Sequence, residues 1–320
     1  MSSGELEALL QAEVQRPVAP SVAQSIAAIA EAARQRHGAV AATLFYGSCL
    51  GRETLEGRIA DLYLLVDSYA GAHRSRLSAL ANRALPPNVY YLETRDAEGA
   101  IVRAKYAVCS LADFAAGAGG RWFHPYLWAR FAQPCRLVYS RDREVGAQVT
   151  AVLARSVLHT VKEGAALMQS GFTAEDLWTA VFRETYRTEL RAEGPDRVKD
   201  LYDANRQYFE AAAKAALAAL SIPADAGEQG ASGQPARYRR PAQGGPPRSK
   251  WRLRRAQGKL LSVLRLTKAA FTFAGGPDYL AWKIERHSGV AVALTPWQRR
   301  HPLLAAPLLF WQLYRRGAFR

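Results

Sequence analysis

The sequence predicts an α+β chain: a mixed sheet with helices, then an all-helical region, then a basic helical tail. Three observations carry this. Apolar runs of strand length alternate with helical spacing through the first 140 or so residues. From Glu144 to Leu220 the spacing is helical throughout. The positive charge sits at the end: residues 237–320 hold 18 Lys and Arg against Asp278 and Glu285, whereas the preceding residues hold 25 cations and 26 acids.

Taken in order, Val22–Arg36 has the apolar spacing of a helix. Ala41–Tyr46 is a short apolar run closed by Gly47-Ser48, a strand ending in a turn. Asp61–Val66 is apolar after its first residue, as for a strand covered on both faces. Ser75–Leu85 reads as a helix stopped by Pro86-Pro87. Asn88–Glu93 and Val102–Val108 read as strands joined through Asp96 and Gly99, and Arg136–Tyr139 as a fifth. In the helical region, Thr173 followed by Asp176 is a capping start. Pro223–Arg248, rich in Gly, Pro, Ala, Gln and Arg, reads as a linker. A basic helix over Lys250–Phe273, a break at Gly275-Gly276-Pro277 and a helical stretch over Asp278–His287 follow. The expected division is an α+β catalytic domain at 1–142, a helical domain at 143–222, a linker at 223–249 and a basic tail at 250–320.

Composition excludes several classes. Cys49, Cys109 and Cys135 are too widely spaced for a disulfide framework or zinc motif and read as residues of a reducing compartment. The longest apolar run, Leu303–Trp311, falls well short of the roughly 18 residues that span a bilayer and contains Pro307. The first 15 residues are acidic and amphipathic, without the basic start and apolar run of a secretory leader, and the expected location is cytoplasmic.

The sharpest local feature is Leu44-Phe45-Tyr46-Gly47-Ser48, a spacer of 12 residues, then Asp61-Leu62-Tyr63-Leu64. It resembles the signature of polymerase-β-type nucleotidyltransferases: an apolar strand, Gly-Ser, a spacer and an acidic strand. The chemistry accounts for each part. A glycine lets backbone approach a triphosphate closely, and Ser48 with nearby N–H groups can bind its oxygens. Asp61 would hold a divalent cation, Mg2+ or another, against the phosphates. The bland alternative is a tight turn beside an Asp at a strand edge. The usual second carboxylate, two positions on, is here Tyr63. Asp67 points to the same face but lies roughly 20 Å along the strand. Glu93, closing the next strand, is the other candidate ligand, against a solvated strand end.

Over Phe45–Tyr139 the chain resembles the mitochondrial-type phosphatidate cytidylyltransferases, the peripheral CDP-diacylglycerol synthases. The shared elements, in order, are Tyr46-Gly47-Ser48, the Asp61–Asp67 strand with an uncharged residue at Tyr63, His73, Asn88–Tyr91, Ala104-Lys105-Tyr106-Ala107-Val108 and Ala129–Pro134 around Arg130. Tyr186, Glu189 and Arg191 follow the family's helical pattern loosely. Departures are Ala72 before His73, Ala107 for Gly, Ala132, Cys135, and Glu189 for Asp. The resemblance implies a nucleotidyltransferase fold and the reaction of CTP with phosphatidate to give CDP-diacylglycerol and pyrophosphate. It implies catalytic roles for Asp61, Lys105 and His73, and nucleotide or phosphate contacts from Tyr46, Gly47, Ser48, Arg52, Arg130, Tyr186 and Arg191.

Each residue has a plainer reading. Lys105 inside an apolar strand either reaches a phosphate or snorkels at an edge. Arg130 binds phosphate bidentately or makes a surface ion pair. Arg52, Tyr186 and Arg191 could equally be solvated, His73 a hydrogen-bonded structural residue, and Tyr90 and Tyr91 packing residues. In the tail, Trp251, Trp282, Trp297 and Trp311 beside Arg and Lys suit an anionic lipid surface, which makes a peripheral position on the inner membrane face the expectation. Nucleic acid is the disfavoured rival. Two other functions compete: nucleotide transfer to RNA, protein or a small molecule, and non-catalytic membrane binding on the same fold.

Overall fold

The computed structural model describes residues 2–168, 171–189, 196–224, 236–239 and 248–272, together with 292–300 and a few single positions beyond 280. The chain opens with helices α1 (Ser2–Gln15) and α2 (Pro20–Gln35), then strands β1 (Val40–Tyr46) and β2 (Ile59–Val66). Short helices α3 (Tyr69–Ala72) and α4 (Arg76–Ala84) lead to the hairpin of β3 (Asn88–Arg95) and β4 (Ile101–Ser110). Helices α5 (Leu111–Ala118) and α6 (Trp128–Phe131) precede β5 (Cys135–Ser140). The rest is helical: α7 (Arg143–Ala165), α8 (Ala174–Tyr186), α9 (Arg197–Ala204), α10 (Arg206–Ala219) and α11 (Arg248–Thr272), with a two-residue pair of strands, β6 (Phe172–Thr173) and β7 (Arg237–Tyr238).

The fold is α+β, with a mixed five-stranded sheet in the order β3-β4-β2-β1-β5. β2 and β4 run parallel and every other neighbouring pair is antiparallel. β1 and β2 are buried at nearly every position because helices cover both faces of the sheet, so their sequences lack polar alternation. The register sets Tyr46, Asp61, Lys105 and Tyr91 opposite one another across four strands, all on one face.

On the other face, α2 packs Val22, Ile26 and Ile29 on Phe45, Leu62 and Leu64. Its N-terminal flank, Ala19, offers no side-chain cap. A large side chain fully buried contributes roughly 1.5–3 kcal/mol against about 1 kcal/mol for a cap, so packing holds this helix. The face carrying Asp61 is covered by α5, α6 and α7, with α1 against β5 and α8 and α10 outside α7. One apolar cluster runs from Leu44, Tyr63 and Leu65 through Phe131 to Leu153, Phe182 and Phe209, across residues 142 and 143. α1 contributes Leu6, Leu10 and Val14 to it, and Glu13 pairs with Arg136 of β5 at 2.7 Å. The capping box at Thr173 and Asp176 is formed.

The basic helix differs from the expected separate tail. α11 lies against the body, with Trp251 and Arg254 buried. Arg254 donates to both Glu163 oxygens, at 2.6 and 3.1 Å, and to the Phe123 carbonyl at 2.9 Å. Lys250 reaches Glu163 at 2.8 Å. Further along, Arg265 donates to the Pro86 carbonyl at 3.3 Å and Lys268 to those of Leu85 and Pro87. A charge count cannot reveal that Glu163, far back in the chain, receives two of these cations. Most of the sequence beyond Thr272, including Gly275-Gly276-Pro277, lies outside the described residues. So do 225–235 and 240–247, although β7 pairs with β6 within the expected linker. Among the described residues no helix is long and apolar enough to cross a membrane.

Gly258 marks the closest approach of α11: a Cβ there would sit 2.4 Å from the Thr188 carbonyl oxygen. Gly258→Leu is expected to lift this part of the helix and cost about 2–3 kcal/mol, as overpacking does. An unchanged urea midpoint would show that α11 has another seat.

Candidate active site

The site begins with the turn after β1. Gly47 has φ of +89°, which disfavours any residue with a Cβ. A Cβ on Gly47 would lie 3.2 Å from Asp61 Oδ2. The Gly-Ser turn and the carboxylate are therefore close neighbours, and β pairing sets this because Asp61 stands opposite Tyr46. Lys105 Nζ lies 3.1 Å from Asp61 Oδ1, with both side chains partly exposed. Ser48 is exposed beside them. Gly47→Ala is expected to lower stability by about 1–2 kcal/mol through its positive φ and to displace the carboxylate. Chemical denaturation checks the first, and a retained urea midpoint would contradict it.

Next to Asp61, on the same sheet face, lies an aromatic cluster. Tyr46, Tyr63 and Phe131 pack with ring centroids 5.0–5.9 Å apart. Arg130 of α6 donates to the Tyr46 hydroxyl at 3.3 Å, and its guanidinium stands 5.0 Å from the Tyr126 ring. Burial opposes the Arg130 charge, but the Tyr46, Tyr126 and Tyr63 oxygens and the Glu189 carboxylate outweigh it, so its pKa is raised well above the ordinary value. Burial likewise raises the Tyr46 phenol. Arg130 Nε and the Tyr63 hydroxyl are buried without a hydrogen-bond partner among the described residues. An unsatisfied buried polar atom costs roughly 1–3 kcal/mol. Such a cost beside a guanidinium fits a place built to receive an anion.

Other expected residues fall elsewhere. His73 stands on the opposite face of the sheet from Asp61. Its Nε2 is 2.8 Å from Asn82 Oδ1 and its Nδ1 3.5 Å from the Tyr90 hydroxyl, and Tyr90 stacks on Tyr106. Tyr106 follows Lys105 on β4 and so points the other way. Burial chiefly lowers the His73 pKa. In place of a catalytic role, the geometry gives this histidine a hydrogen-bonded structural one, because it cannot reach a nucleotide at Asp61 through the sheet. The three expected metal carboxylates are not brought together either. Glu93 shares the face of Asp61 but lies two strands away and pairs with Arg103 at 2.8 Å. Asp67 follows the far end of β2 and pairs with Arg141 at 2.6 Å.

Arg52 is exposed on a groove of about 650 Å³ that also includes Leu50, Arg136 and Tyr208. Tyr186 ends α8 and packs on the main core. Arg191 lies outside the described residues. Sequence reasoning missed Tyr126, whose ring lies between Arg130 and, at 4.0 Å, Arg265 of α11. No local signal marks it. The inward spacing of Trp251, Arg254, Gly258 and Arg265 on α11 was the available clue to Arg265.

Among the described residues no three His, Cys, Asp or Glu side chains gather as a metal cage. Mg2+ in phosphate chemistry commonly takes one or two carboxylates, with phosphate oxygens and water completing the shell. A single carboxylate facing a Gly-Ser turn fits that mode. The arrangement can thus hold a polyphosphate between the turn, Lys105 and Arg130, with one acidic group at its edge. No family model matches the chain, and no curated protein matches its sequence significantly.

Proposed function

We propose that the chain is a phosphatidate cytidylyltransferase on a nucleotidyltransferase-type fold, converting CTP and phosphatidate to CDP-diacylglycerol and pyrophosphate. The observation that carries this reading is the Asp61 carboxylate standing next to Gly47, so that a Cβ there would lie 3.2 Å away, with Lys105 on its other oxygen. A turn that favours glycine, an acid next to it, a lysine on that acid and an arginine behind Tyr46 answer the needs of a bound triphosphate.

Gly47 and Ser48 bind the triphosphate through backbone and hydroxyl groups. Lys105 leaves Asp61 for a phosphate oxygen, and Arg130 neutralises charge. Asp61 would hold a divalent cation, which would add charge neutralisation at the phosphates. A phosphate oxygen of the lipid attacks the α-phosphorus, the bond from that phosphorus to the bridging oxygen breaks, and pyrophosphate leaves. The acceptor is already anionic near neutral pH, so no base must take a proton, in keeping with the seat of His73 behind the sheet. Positioning and charge neutralisation carry the rate. The outward face of α11 exposes Leu253, Leu260, Val263 and Leu264 beside Arg252 and Lys259, which suits a peripheral position on an anionic inner membrane face.

Incubation with CTP, magnesium and phosphatidate vesicles should release pyrophosphate only when the lipid is present. Release only with RNA, protein or a small alcohol as acceptor would move the activity to another nucleotidyl transfer. No release with any acceptor, together with vesicle binding, would leave a non-catalytic membrane protein. Lys105→Met is expected to raise the KM for CTP roughly 10- to 100-fold, the value of a charge-assisted phosphate contact; an unchanged KM would place this lysine outside the nucleotide site.

A further inference from the structure

Helix α4 is inside out. The residue it buries is Asn82, whose side chain donates to the Val108 carbonyl at 3.1 Å and meets His73. Its leucines face outward instead: Leu77 is 76% exposed and Leu80 64%, with Ala84 one further turn along the same face. Single exposed leucines are ordinary on a protein surface. A nine-residue helix that hides an amide and shows an apolar stripe is not, because water favours the reverse arrangement.

The surroundings indicate what covers this stripe. Arg74, Arg76 and Arg83 are exposed around it, and the sequence holds no acidic residue from 68 to 92. The C-cap residue of α4, Leu85, gives its carbonyl to Lys268, and Arg265 donates to the next carbonyl. The end of α4 therefore abuts the part of α11 where Val263 and Leu264 are exposed. Apolar side chains rimmed by arginines, on a helix whose end meets the helix exposing Val263 and Leu264, match the boundary between headgroups and acyl chains of an anionic bilayer. We propose that α4 is a second membrane contact, carried by the sheet-bearing body itself, which with α11 seats the protein on anionic lipid along two helices rather than one. The proposal rests on the membrane reading given above and adds the surface and the residues that dock.

The full chain with a single added cysteine at Leu80, Leu260 or Lys214 of α10, labelled with an environment-sensitive fluorophore, tests this, since the native cysteines are buried. Phosphatidylcholine vesicles containing phosphatidylglycerol are expected to blue-shift and brighten the labels at 80 and 260, but not at 214. Vesicles of phosphatidylcholine alone should do so weakly. Silence at 80 with a response at 260 would overturn the α4 contact and leave α11 as the anchor. Silence at both would overturn the contact and the membrane reading together. A response at 80 to single-stranded RNA in place of vesicles would also refute it. In parallel, Leu77→Ser/Leu80→Ser should lower partition onto the anionic vesicles roughly tenfold or more, as loss of two inserted leucines implies. Its melting temperature and its activity on a dispersed short-chain phosphatidate should be kept. A change in partition below twofold would count against the proposal.

Discussion

Asp61→Asn is expected to lower turnover by roughly 10²- to 10³-fold, the order seen when a group that neutralises transition-state charge is lost, while the protein stays folded. The amide keeps the shape that packs against Gly47 but removes the charge that a cation needs. Its ion pair with Lys105 is partly exposed on both sides, and such pairs contribute only about 0–1 kcal/mol. Stability and activity thus separate. Lipid-dependent pyrophosphate release beside a thermal melt checks both, and a variant retaining a tenth of the native turnover would remove Asp61 from the chemistry.

Glu163→Gln should have the largest effect on stability. Glu163 and Arg254 are both buried, and the glutamate also receives Lys250. Leaving a buried guanidinium without its carboxylate costs roughly 3–5 kcal/mol, which exceeds the contribution of most surface pairs in the chain. Burial alone would raise the Glu163 pKa, but the hydrogen bonds from Arg254 and Lys250 prevail and hold it down at about 2. A carboxyl held low when folded stabilises at pH values above its unfolded pKa. That stability, about 3 kcal/mol by linkage, is lost as pH falls from about 4.5 through about 2. Native protein should therefore lose stability more steeply than Glu163→Gln across this range. Parallel stability curves in urea for the two proteins below pH 4.5 would refute the pairing.

The central strands were readable because a sheet covered on both faces needs nearly continuous apolar runs, and β1 and β2 supply them; β3 to β5 carry charged residues but keep strand-length apolar stretches. The meeting of Gly47 and Asp61 was readable for a related reason: a short spacer between two strands leaves few registers, and only one puts the acid opposite Tyr46. What local pattern could not reveal depended on distant partners. Arg130 meets Tyr46 across 84 positions, and Arg254 meets Glu163 across 91. His73 matched in sequence order but lies behind the sheet, because α3 and α4 return over the face that α2 covers. Basic composition drew α11 as a free tail, although five of its cations, Lys250, Arg254, Arg255, Arg265 and Lys268, bind the body.

The two halves of α11 hold different layers. Lys250 and Arg254 grip α7 in the helical layer, whereas Arg265 and Lys268 grip the turn that opens β3 at the sheet's edge. The helix is a strut bracing one layer against the other, with Tyr126 held between its Arg265 and Arg130 of α6. Hinging of the layers would pull Arg254 from Glu163, a buried ion pair whose breaking costs roughly 3–5 kcal/mol, so α11 holds the two layers as one frame.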